Sequence, residues 1–330
     1  MVDGNETLAF RELSPEQILA AVESLGYLCD GRLLALNSYE NRVYQVGIEE
    51  AEPLIAKFYR PARWADEAIR EEHDFTLALA AEEIPVVAPL ASDGQTLHRH
   101  GPFRFALYPR RGGRTPELDD PRQLEIIGRF LARIHLLGEA RPFAHRPRID
   151  LDSYVVAPRE FLLGGGFIPA ALEPAYSSIT ADLIAALGEA FAGSGAIRSL
   201  RIHGDCHPSN LLYRDDIPHI VDFDDARNGP AVQDLWMFLS GDRYYAGARL
   251  ADLLEGYSQF RDFDPRELAL IEPLRTLRIV HYASWLARRW ADPAFQQAFP
   301  WFDSPRYWDD HVLALREQMA ALNEPPLVWD

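Results

Sequence analysis

Three polar residues follow one another in the sequence with the spacing that a phosphoryl-transfer site requires. Asp205 is followed, after four intervening residues, by Asn210, and Asp222 comes at the end of a short strand–turn–strand segment rich in Ile and Val. In phosphoryl transfer, one carboxylate faces the attacking hydroxyl, while an amide and a second carboxylate hold Mg²⁺. We therefore predict that Asp205 and Asp222 are catalytic and that Asn210 and Asp222 bind the metal.

A single lysine supplies the positive charge that such a site needs for phosphate. The Lys and Arg residues number 33 together, and Lys57 is the only lysine among them. Because every other residue in this count is Arg, the single Lys indicates that a compact ammonium group is required at this position. Lys57 lies on a predicted strand, and the helix that follows carries Glu71 and Glu72, so that a kinase-type Lys–Glu pair can form. We favour Glu71, because it lies four residues before Phe75 on the apolar face, and Glu72 remains open.

The phosphate-binding loop follows neither of the familiar glycine-rich patterns, since the chain has no P-loop and no G-x-G-x-x-G segment in its first hairpin. The turn between the first two predicted strands is the polar segment 38–41 instead. Ser38 is its best candidate donor to an ATP phosphate. A plain polar hairpin turn explains the same residues almost as well.

Apolar periodicity and turn residues divide the chain into a sheet-rich part and a helical part. In the first part the pattern predicts helices at 14–25 and 64–81 and strands at 33–36, 43–46, 53–58, 84–89 and 103–108. In the second part it predicts helices at 120–138, 179–191 and 232–239, and it assigns no structure to 141–178. We therefore expect an α+β chain with an N-lobe at 1–108, a hinge at 109–113 and a C-lobe at 114–330.

The histidines near Asp205 allow a second interpretation. His203 and His207, together with Asp222 and Asp224, carry side chains that can also bind Zn²⁺. A zinc hydrolase has no use for the upstream lysine, so we favour the kinase interpretation.

In the kinase interpretation, some of the neighbouring polar residues are expected to position the catalytic loop, and the roles of others are not assigned. His203 is expected to hydrogen-bond the loop backbone, and a buried Asp234 is expected to accept backbone N–H bonds from the catalytic loop. The roles of His207, Asp224 and Asp225 are left open.

The composition excludes several classes of partner. The chain has 330 residues, of which 48% are hydrophobic and 25% charged, and its formal net charge is −17. An acidic chain of this kind is not expected to bind nucleic acid or an anionic membrane. Cys29 and Cys206 cannot build a disulfide framework, and the N-terminus lacks a signal-peptide pattern. We therefore expect a cytoplasmic enzyme, and as a separate expectation we take it to be a monomer.

Taken together, these motifs resemble those of the aminoglycoside phosphotransferase and choline kinase branch of the protein-kinase-like fold. The resemblance is carried by His-Gly-Asp205 with Asn210 and by Ile-Val-Asp222-Phe-Asp. Within this branch the chain is similar to bacterial stress-response Ser/Thr protein kinases from about residue 10 to residue 327. The matching segments are 36–45, 57–61, 225–231, 233–237 and 288–295.

This resemblance implies a bilobal fold with an antiparallel-sheet N-lobe and a mainly helical C-lobe. It also implies ATP as the donor, Mg²⁺ as the cofactor and Ser/Thr hydroxyls of a protein as the acceptor. By resemblance, Asp205 is the proton acceptor, Asn210 and Asp222 are the Mg²⁺ ligands, Lys57 binds phosphate and Ser38 belongs to the ATP site.

Two departures from eukaryotic-type protein kinases stand out. His-Gly-Asp205 replaces His-Arg-Asp, and Asp222-Phe-Asp replaces Asp-Phe-Gly. The stretch from Asp222 to Asp234 is also too short for a long activation segment. Regulation by loop phosphorylation is therefore not expected.

The acceptor is the least determined part of the reaction. A protein Ser/Thr hydroxyl follows from the resemblance alone, and a small-molecule alcohol kinase and a nucleotide-binding regulator remain as alternatives. The net negative charge would suit a cationic acceptor, such as an amine-bearing metabolite or a basic protein, although such charge also maintains solubility.

Overall fold

The N-terminal part of the chain is built around one antiparallel sheet. The computed structural model describes residue 10 and residues 12–329. The sheet contains strands β1 (Cys29–Ala35), β2 (Arg42–Ile48), β3 (Leu54–Phe58), β4 (His98–His100) and β5 (Phe103–Pro109). They are hydrogen-bonded in the order β1-β2-β3-β5-β4, and every neighbouring pair runs antiparallel.

Two helices pack near this sheet, α1 (Pro15–Glu23) and α2 (Asp66–Ala81). Successive side chains of a strand point to opposite faces. Phe58 of β3 therefore packs in one apolar cluster with Ile18 of α1, while Tyr59 lies in another cluster with Ile69 of α2. Lys57, one residue before Phe58, points to the α2 side. The alternation of β3 thus places the lone lysine opposite the helix that carries the two glutamates.

The helical remainder begins after β5. Its helices are α3 (Pro121–Gly138), α4 (Ala157–Gly164), α5 (Glu173–Gly193), α6 (Arg243–Tyr257), α7 (Ile271–Arg289), α8 (Pro293–Ala298) and α9 (Pro305–Ala321). A π-helical turn, Asp152–Val156, leads into α4. The segment 141–178, to which the sequence assigned no structure, therefore contains this turn, α4 and the start of α5.

Two short antiparallel strand pairs support the loops that contain Asp205, Asn210 and Asp222. Strands β6 (Leu200–Ile202) and β9 (Arg227–Gly229) pair antiparallel, and so do β7 (Leu211–Arg214) and β8 (Ile217–Ile220). Short 3₁₀ helices connect these strands at Pro208–Asn210 and Phe223–Asp225. Residues 203–210 and 221–226 thus lie side by side at the ends of short, well-paired strands.

Two of the predicted elements are different in the structure. The predicted strand 84–89 forms only an isolated parallel bridge between Val86 and Ile220, because Pro85 and Pro89 have no N–H to give to a ladder. The predicted helix 232–239 is two 3₁₀ helices, Ala231–Asp234 and Trp236–Phe238. In this segment the side chains hydrogen-bond to the neighbouring loop and do not form one face of a regular helix.

The remaining predicted helices and strands are present, with ends that shift by a few residues. The division into an N-lobe at 1–108, a hinge at 109–113 and a C-lobe at 114–330 stays a prediction. No helix within 12–329 combines the length and the apolar character needed to cross a membrane.

A buried glutamate anchors one of the irregular segments. Glu267 lies in the 3₁₀ helix Pro265–Leu270 and is 1% exposed, and its carboxylate accepts the backbone N–H of Val232 at 2.8 Å. Burial raises the pKa of Glu267 to about 7. Since the folded protein holds this proton more tightly than the unfolded chain, the contribution to stability is full below about pH 4.5 and is lost as the pH rises to about 7.

We therefore expect the wild-type protein to lose up to about 3 kcal/mol of stability from this group between pH 4.5 and pH 7.5. Glu267→Gln keeps an oxygen that accepts from Val232 but cannot titrate, so its stability should depend less on pH. Thermal unfolding of both proteins across this range is the measurement. Parallel pH profiles would contradict the assignment.

Candidate active site

A cleft between the sheet and the helical part has a volume of about 860 Å³. Its walls bring together Lys57 from β3, Asp205 and Asn210 from the loop after β6, and Asp222 from the loop after β8. Ser38, from the loop between β1 and β2, also lines the cleft. These residues thus line the same cleft, although more than a hundred positions separate Lys57 from Asp205, Asn210 and Asp222.

Lys57 is buried among carboxylates. Its Nζ lies 3.1 Å from Asp222 Oδ1, 3.2 Å from Asp224 Oδ1 and 4.0 Å from Glu72 Oε1. Burial by itself lowers the pKa of an ammonium group, but these three carboxylates raise the pKa of Lys57 well above its usual value. The lysine is therefore a fixed positive charge at neutral pH.

The expected pairing of Lys57 with Glu71 is wrong, because Glu72 is the partner. Glu72 is 2% exposed and faces the sheet. Consecutive helical residues point about 100° apart, so only one of the two glutamates can face Lys57. The spacing to Phe75 was misleading, since Phe75 packs with the core of the helical part and not against the sheet.

Glu71 has a structural role instead. Its carboxylate accepts three backbone N–H groups from the loop after α3, from Ala144 at 2.8 Å, His145 at 2.8 Å and Arg146 at 3.1 Å. Hydrogen bonds to a charged group are among the stronger ones in proteins. Glu71 thus fastens α2 to the helical part of the molecule.

Arg146 continues this connection into the site. Its guanidinium is buried and donates to Glu72 Oε2 at 2.8 Å, to the carbonyl of Asp224 at 2.7 Å and to the carbonyl of Ala226 at 3.0 Å. The side chain of Arg146 therefore connects α2, whose Glu72 pairs with Lys57, to the loop that carries Asp222. The sequence offered no signal for Arg146, because it lies in the segment with no periodic pattern.

A second arginine, Arg63, binds the two acidic residues whose roles the sequence left open. Its Nη1 lies 2.9 Å from Asp224 Oδ2, and its Nη2 lies 2.9 Å from Asp225 Oδ1. Burial raises the pKa of both carboxyls, but Arg63 and the neighbouring cations together outweigh it and hold both pKa values below the usual range. Arg227 adds a second pairing to Asp225 at 2.6 Å.

The loop that carries Asp205 is held from below by Asp234. The buried carboxylate of Asp234 accepts the backbone N–H groups of His203 and Gly204, each at 2.8 Å, and it faces His135 Nε2 at 3.1 Å. His203 in turn donates from Nε2 to the carbonyl of Val221 at 2.9 Å. The expected backbone roles of Asp234 and His203 are confirmed.

Gly204 explains why the motif is His-Gly-Asp. Its φ angle is +85°, and a Cβ at this position would collide with the carbonyl oxygen of Asp225. A side chain here would have to overcome both the unfavourable backbone conformation and the lack of space. Glycine is therefore required at this position because the two loops approach each other closely. The difference from His-Arg-Asp thus has a steric reason in addition to the absence of a regulatory arginine.

Asp205 and Asn210 are joined through the backbone of their own loop. Asn210 Nδ2 donates to the carbonyl of Asp205 at 3.0 Å, which leaves the amide oxygen of Asn210 available in the cleft. The carboxylate of Asp205 forms an ion pair with Arg278 of α7. Asp222 stands at φ +61°, and its side chain is 56% exposed toward the cleft.

The loop between β1 and β2 is tied to the C-terminal helices. Glu40 accepts from Trp285 Nε1 at 2.6 Å and from Arg289 Nη2 at 3.0 Å, and the ring of Tyr39 packs 4.8 Å from that of Phe299. The hydroxyl of Ser38 donates to the carbonyl of Asn41 at 2.8 Å. The loop therefore forms one rim of the cleft, and the ATP role of Ser38 stays a prediction.

The zinc alternative receives no support from the geometry. His203 uses its Nε2 on the backbone, and His207 Nε2 lies 3.7 Å from Asp205 Oδ2. In the part of the chain that the structure describes, no three His, Cys, Asp or Glu side chains converge on a metal-sized site.

Comparison with known proteins is consistent with this geometry. Stress response kinase A of Escherichia coli strain K12 is 46% identical to the chain over 323 residues, covering 98% of each sequence. The serine/threonine protein kinase RdoA of Salmonella typhimurium is 45% identical over the same length and coverage.

Solved structures share the fold at low identity. The amicoumacin kinase hAmiN, in complex with AMP-PNP, Ca²⁺ and Ami, has a TM-score of 0.74 at 19% identity, covering 96% of each chain. A microcompartment-associated aminopropanol kinase has a TM-score of 0.66 at 19% identity, covering 92% of this chain and 97% of its own. The predicted α+β, protein-kinase-like fold is confirmed.

The family match covers most of the chain. Residues 32–271 match the phosphotransferase enzyme family known as APH, and the relatives at 45–46% identity extend along nearly the whole sequence. This protein is a phosphotransferase enzyme that belongs to the APH family.

Proposed function

We propose that the protein is an ATP- and Mg²⁺-dependent kinase that phosphorylates Ser/Thr hydroxyls of proteins. The observation that carries this proposal is the meeting of Lys57 with Asp205, Asn210 and Asp222 in one cleft. The protein acceptor rests on the relatives named stress response kinase A and serine/threonine protein kinase RdoA. The first of these names suggests a role in stress response, and we also propose that the protein is a cytoplasmic monomer.

At the donor end of the cleft, Lys57 would bind phosphate oxygens of ATP. Its ammonium group is held by Glu72 from one side and lies 3.1 Å from Asp222 on the other. The hinge at 109–113 would lie beside the nucleotide, between an N-lobe at 1–108 and a C-lobe at 114–330. Ser38 would contact the phosphates from the loop above.

The donor set fits Mg²⁺. This ion prefers oxygen ligands and is commonly held by one or two protein groups together with phosphate and water. The carboxylate of Asp222 faces the cleft, and the amide oxygen of Asn210 is left available by the bond that its Nδ2 makes. When bound there, the ion neutralises charge on the phosphates.

At the acceptor end, Asp205 would orient the hydroxyl and take its proton. Its loop is held rigidly from below by the buried carboxylate of Asp234. A base held in this way loses little entropy when the substrate binds.

A small-molecule alcohol kinase is the second candidate. It is favoured by solved structures of the same fold that are named as an amicoumacin kinase, an aminopropanol kinase and a spectinomycin phosphotransferase. A labelled-ATP assay that compares generic protein substrates with a panel of amino alcohols separates the two candidates, because only one set should become labelled.

Asp205→Ala should lower phosphoryl transfer about 10²–10⁴-fold, the usual contribution of a general base, and Asp222→Ala should abolish it by removing a metal ligand. Both proteins should keep the wild-type melting temperature within a few degrees. The measurement is transfer of labelled phosphate from ATP. Near-normal activity of either purified variant would contradict the mechanism.

Lys57→Arg should also lose most of the activity, at least about tenfold. The positive charge survives, but the planar guanidinium does not fit the space shared by Glu72, Asp222 and Asp224. Steady-state kinetics with varied ATP is the test. Full activity would show that the lone lysine is not required as a point charge.

The two neighbouring glutamates provide a matched pair. Glu72→Gln removes the partner of Lys57 and should lower kcat/KM for ATP by more than about tenfold. Glu71→Gln removes a charge that accepts three backbone N–H groups, so it should lower the free energy of unfolding by about 1–3 kcal/mol and leave kcat within about threefold. The reverse pattern in kinetics and thermal unfolding would restore Glu71 as the partner.

A further inference from the structure

The carboxylate proposed to accept the proton, that of Asp205, is already paired with a cation, although its side chain is 24% exposed. Asp205 Oδ1 forms an ion pair with the guanidinium of Arg278, and Asp205 Oδ2 lies 3.7 Å from His207 Nε2. Arg278 belongs to α7, lines the cleft and is 41% exposed. An acceptor hydroxyl that approaches Asp205 Oδ1 therefore competes with the guanidinium of Arg278.

The other carboxylates that line the cleft are also paired. Among the residues that the structure describes, each lining carboxylate has at least one cationic partner within 4.0 Å. The lining carboxylates are Glu40, Glu72, Asp205, Asp222, Asp224 and Asp225. The ammonium group of a cationic acceptor would have to displace one of these pairs.

Arg278 differs in its exposure from the buried cations that pair with these carboxylates. Lys57, Arg63 and Arg227 are largely buried and are each held by two or more acidic partners or by a neighbouring side chain. Arg278 is more exposed, and its ion-pair partner in the described structure is Asp205. A ligand anion can reach it without uncovering a buried charge.

We propose that Arg278 is a specificity-determining residue that selects Ser/Thr hydroxyls flanked by Asp or Glu, so that the acceptor is an acidic peptide segment. This inference rests on the proposed protein-kinase function and names the acceptor class of the same site. A carboxylate beside the hydroxyl competes with Asp205 for Arg278, and that competition frees Asp205 Oδ1.

The freed oxygen then completes the transfer. The hydroxyl proton moves to Asp205 Oδ1 while the hydroxyl oxygen bonds to the γ-phosphorus of ATP, and the bond from that phosphorus to the bridging oxygen breaks to release ADP. A neutral acceptor leaves the Asp205–Arg278 pair in place. A cationic acceptor is repelled by Arg278, so it uncovers the base least well.

The net charge of the protein does not oppose this preference. Charges in solvent are screened beyond about 8 Å at physiological ionic strength, so the formal charge of −17 acts weakly on a peptide already in the cleft. The contact with Arg278 acts at hydrogen-bond distance. The pairing in the cleft thus points away from the cationic acceptor that the net charge alone would suit.

The test uses the full-length protein and three Ser peptides of equal length with Asp, Ala or Arg beside the serine. Transfer of labelled phosphate gives kcat/KM for each peptide. The wild type should prefer the Asp peptide to the Arg peptide by about tenfold or more, the usual effect of one charge-assisted hydrogen bond. Arg278→Glu should reverse the order of the two.

The matched control is Arg275→Glu, the same charge change three residues earlier on α7. Arg275 pairs with Glu272 at 3.3 Å and does not line the cleft, so the ratio between the Asp and Arg peptides should stay as in the wild type. Arg278→Gln covers the case in which the reversed charge stops the reaction or disturbs the helix. It should bring the ratio close to one.

The outcomes separate the two proposals. If the wild type labels the peptides without regard to flanking charge, or if Arg278→Gln keeps the wild-type ratio, the role of Arg278 is overturned while the kinase function stands. If the wild type labels no peptide but labels an amino alcohol, the proposed protein acceptor is overturned, and the acidic-peptide preference with it.

Discussion

The buried charge of Lys57 is the interaction on which the arrangement of the site depends. An ammonium group removed from water must be paired, or its burial costs several kcal/mol. The partners come from two parts of the molecule, with Glu72 on α2 and with Asp222 and Asp224 on the loop after β8. One cation on the sheet therefore sets the distance between α2 and the loop that carries Asp222 and Asp224.

Buried arginines extend this pairing and make the site rigid. Arg146 joins Glu72 to the backbone of the loop that carries Asp224, and Arg63 joins the side chains of Asp224 and Asp225. In kinases with a long activation segment, phosphorylation of that segment helps to position the equivalent helix. In this protein, permanent charges within the fold hold α2 in place. This agrees with the stretch between Asp222 and the buried Asp234, which is too short for a long activation segment.

The two ends of the cleft use positive charge differently. In the proposed function, the ammonium of Lys57, which is buried and held by fixed carboxylates, would offer phosphate a preorganised positive charge. The guanidinium of Arg278 is partly exposed and pairs with Asp205, the residue proposed to accept the proton of the acceptor hydroxyl. In the proposed function, the first arrangement would serve binding of ATP, and the second would let the acceptor influence proton transfer.

The sequence by itself determined the features that depend on residue type and local spacing. The order Lys57, Asp205, Asn210 and Asp222 indicated the chemistry, and apolar periodicity located most helices and strands. The sequence also predicted that Asp234 accepts backbone N–H groups of the loop, because a buried carboxylate beside a loop needs hydrogen-bond donors. Only the tertiary structure decided which glutamate pairs with Lys57, because that depends on how α2 is rotated between the sheet and the helical core. The arginines at 63, 146 and 278 were hidden for a related reason, since an arginine in an arginine-rich chain shows its partner only when distant segments meet.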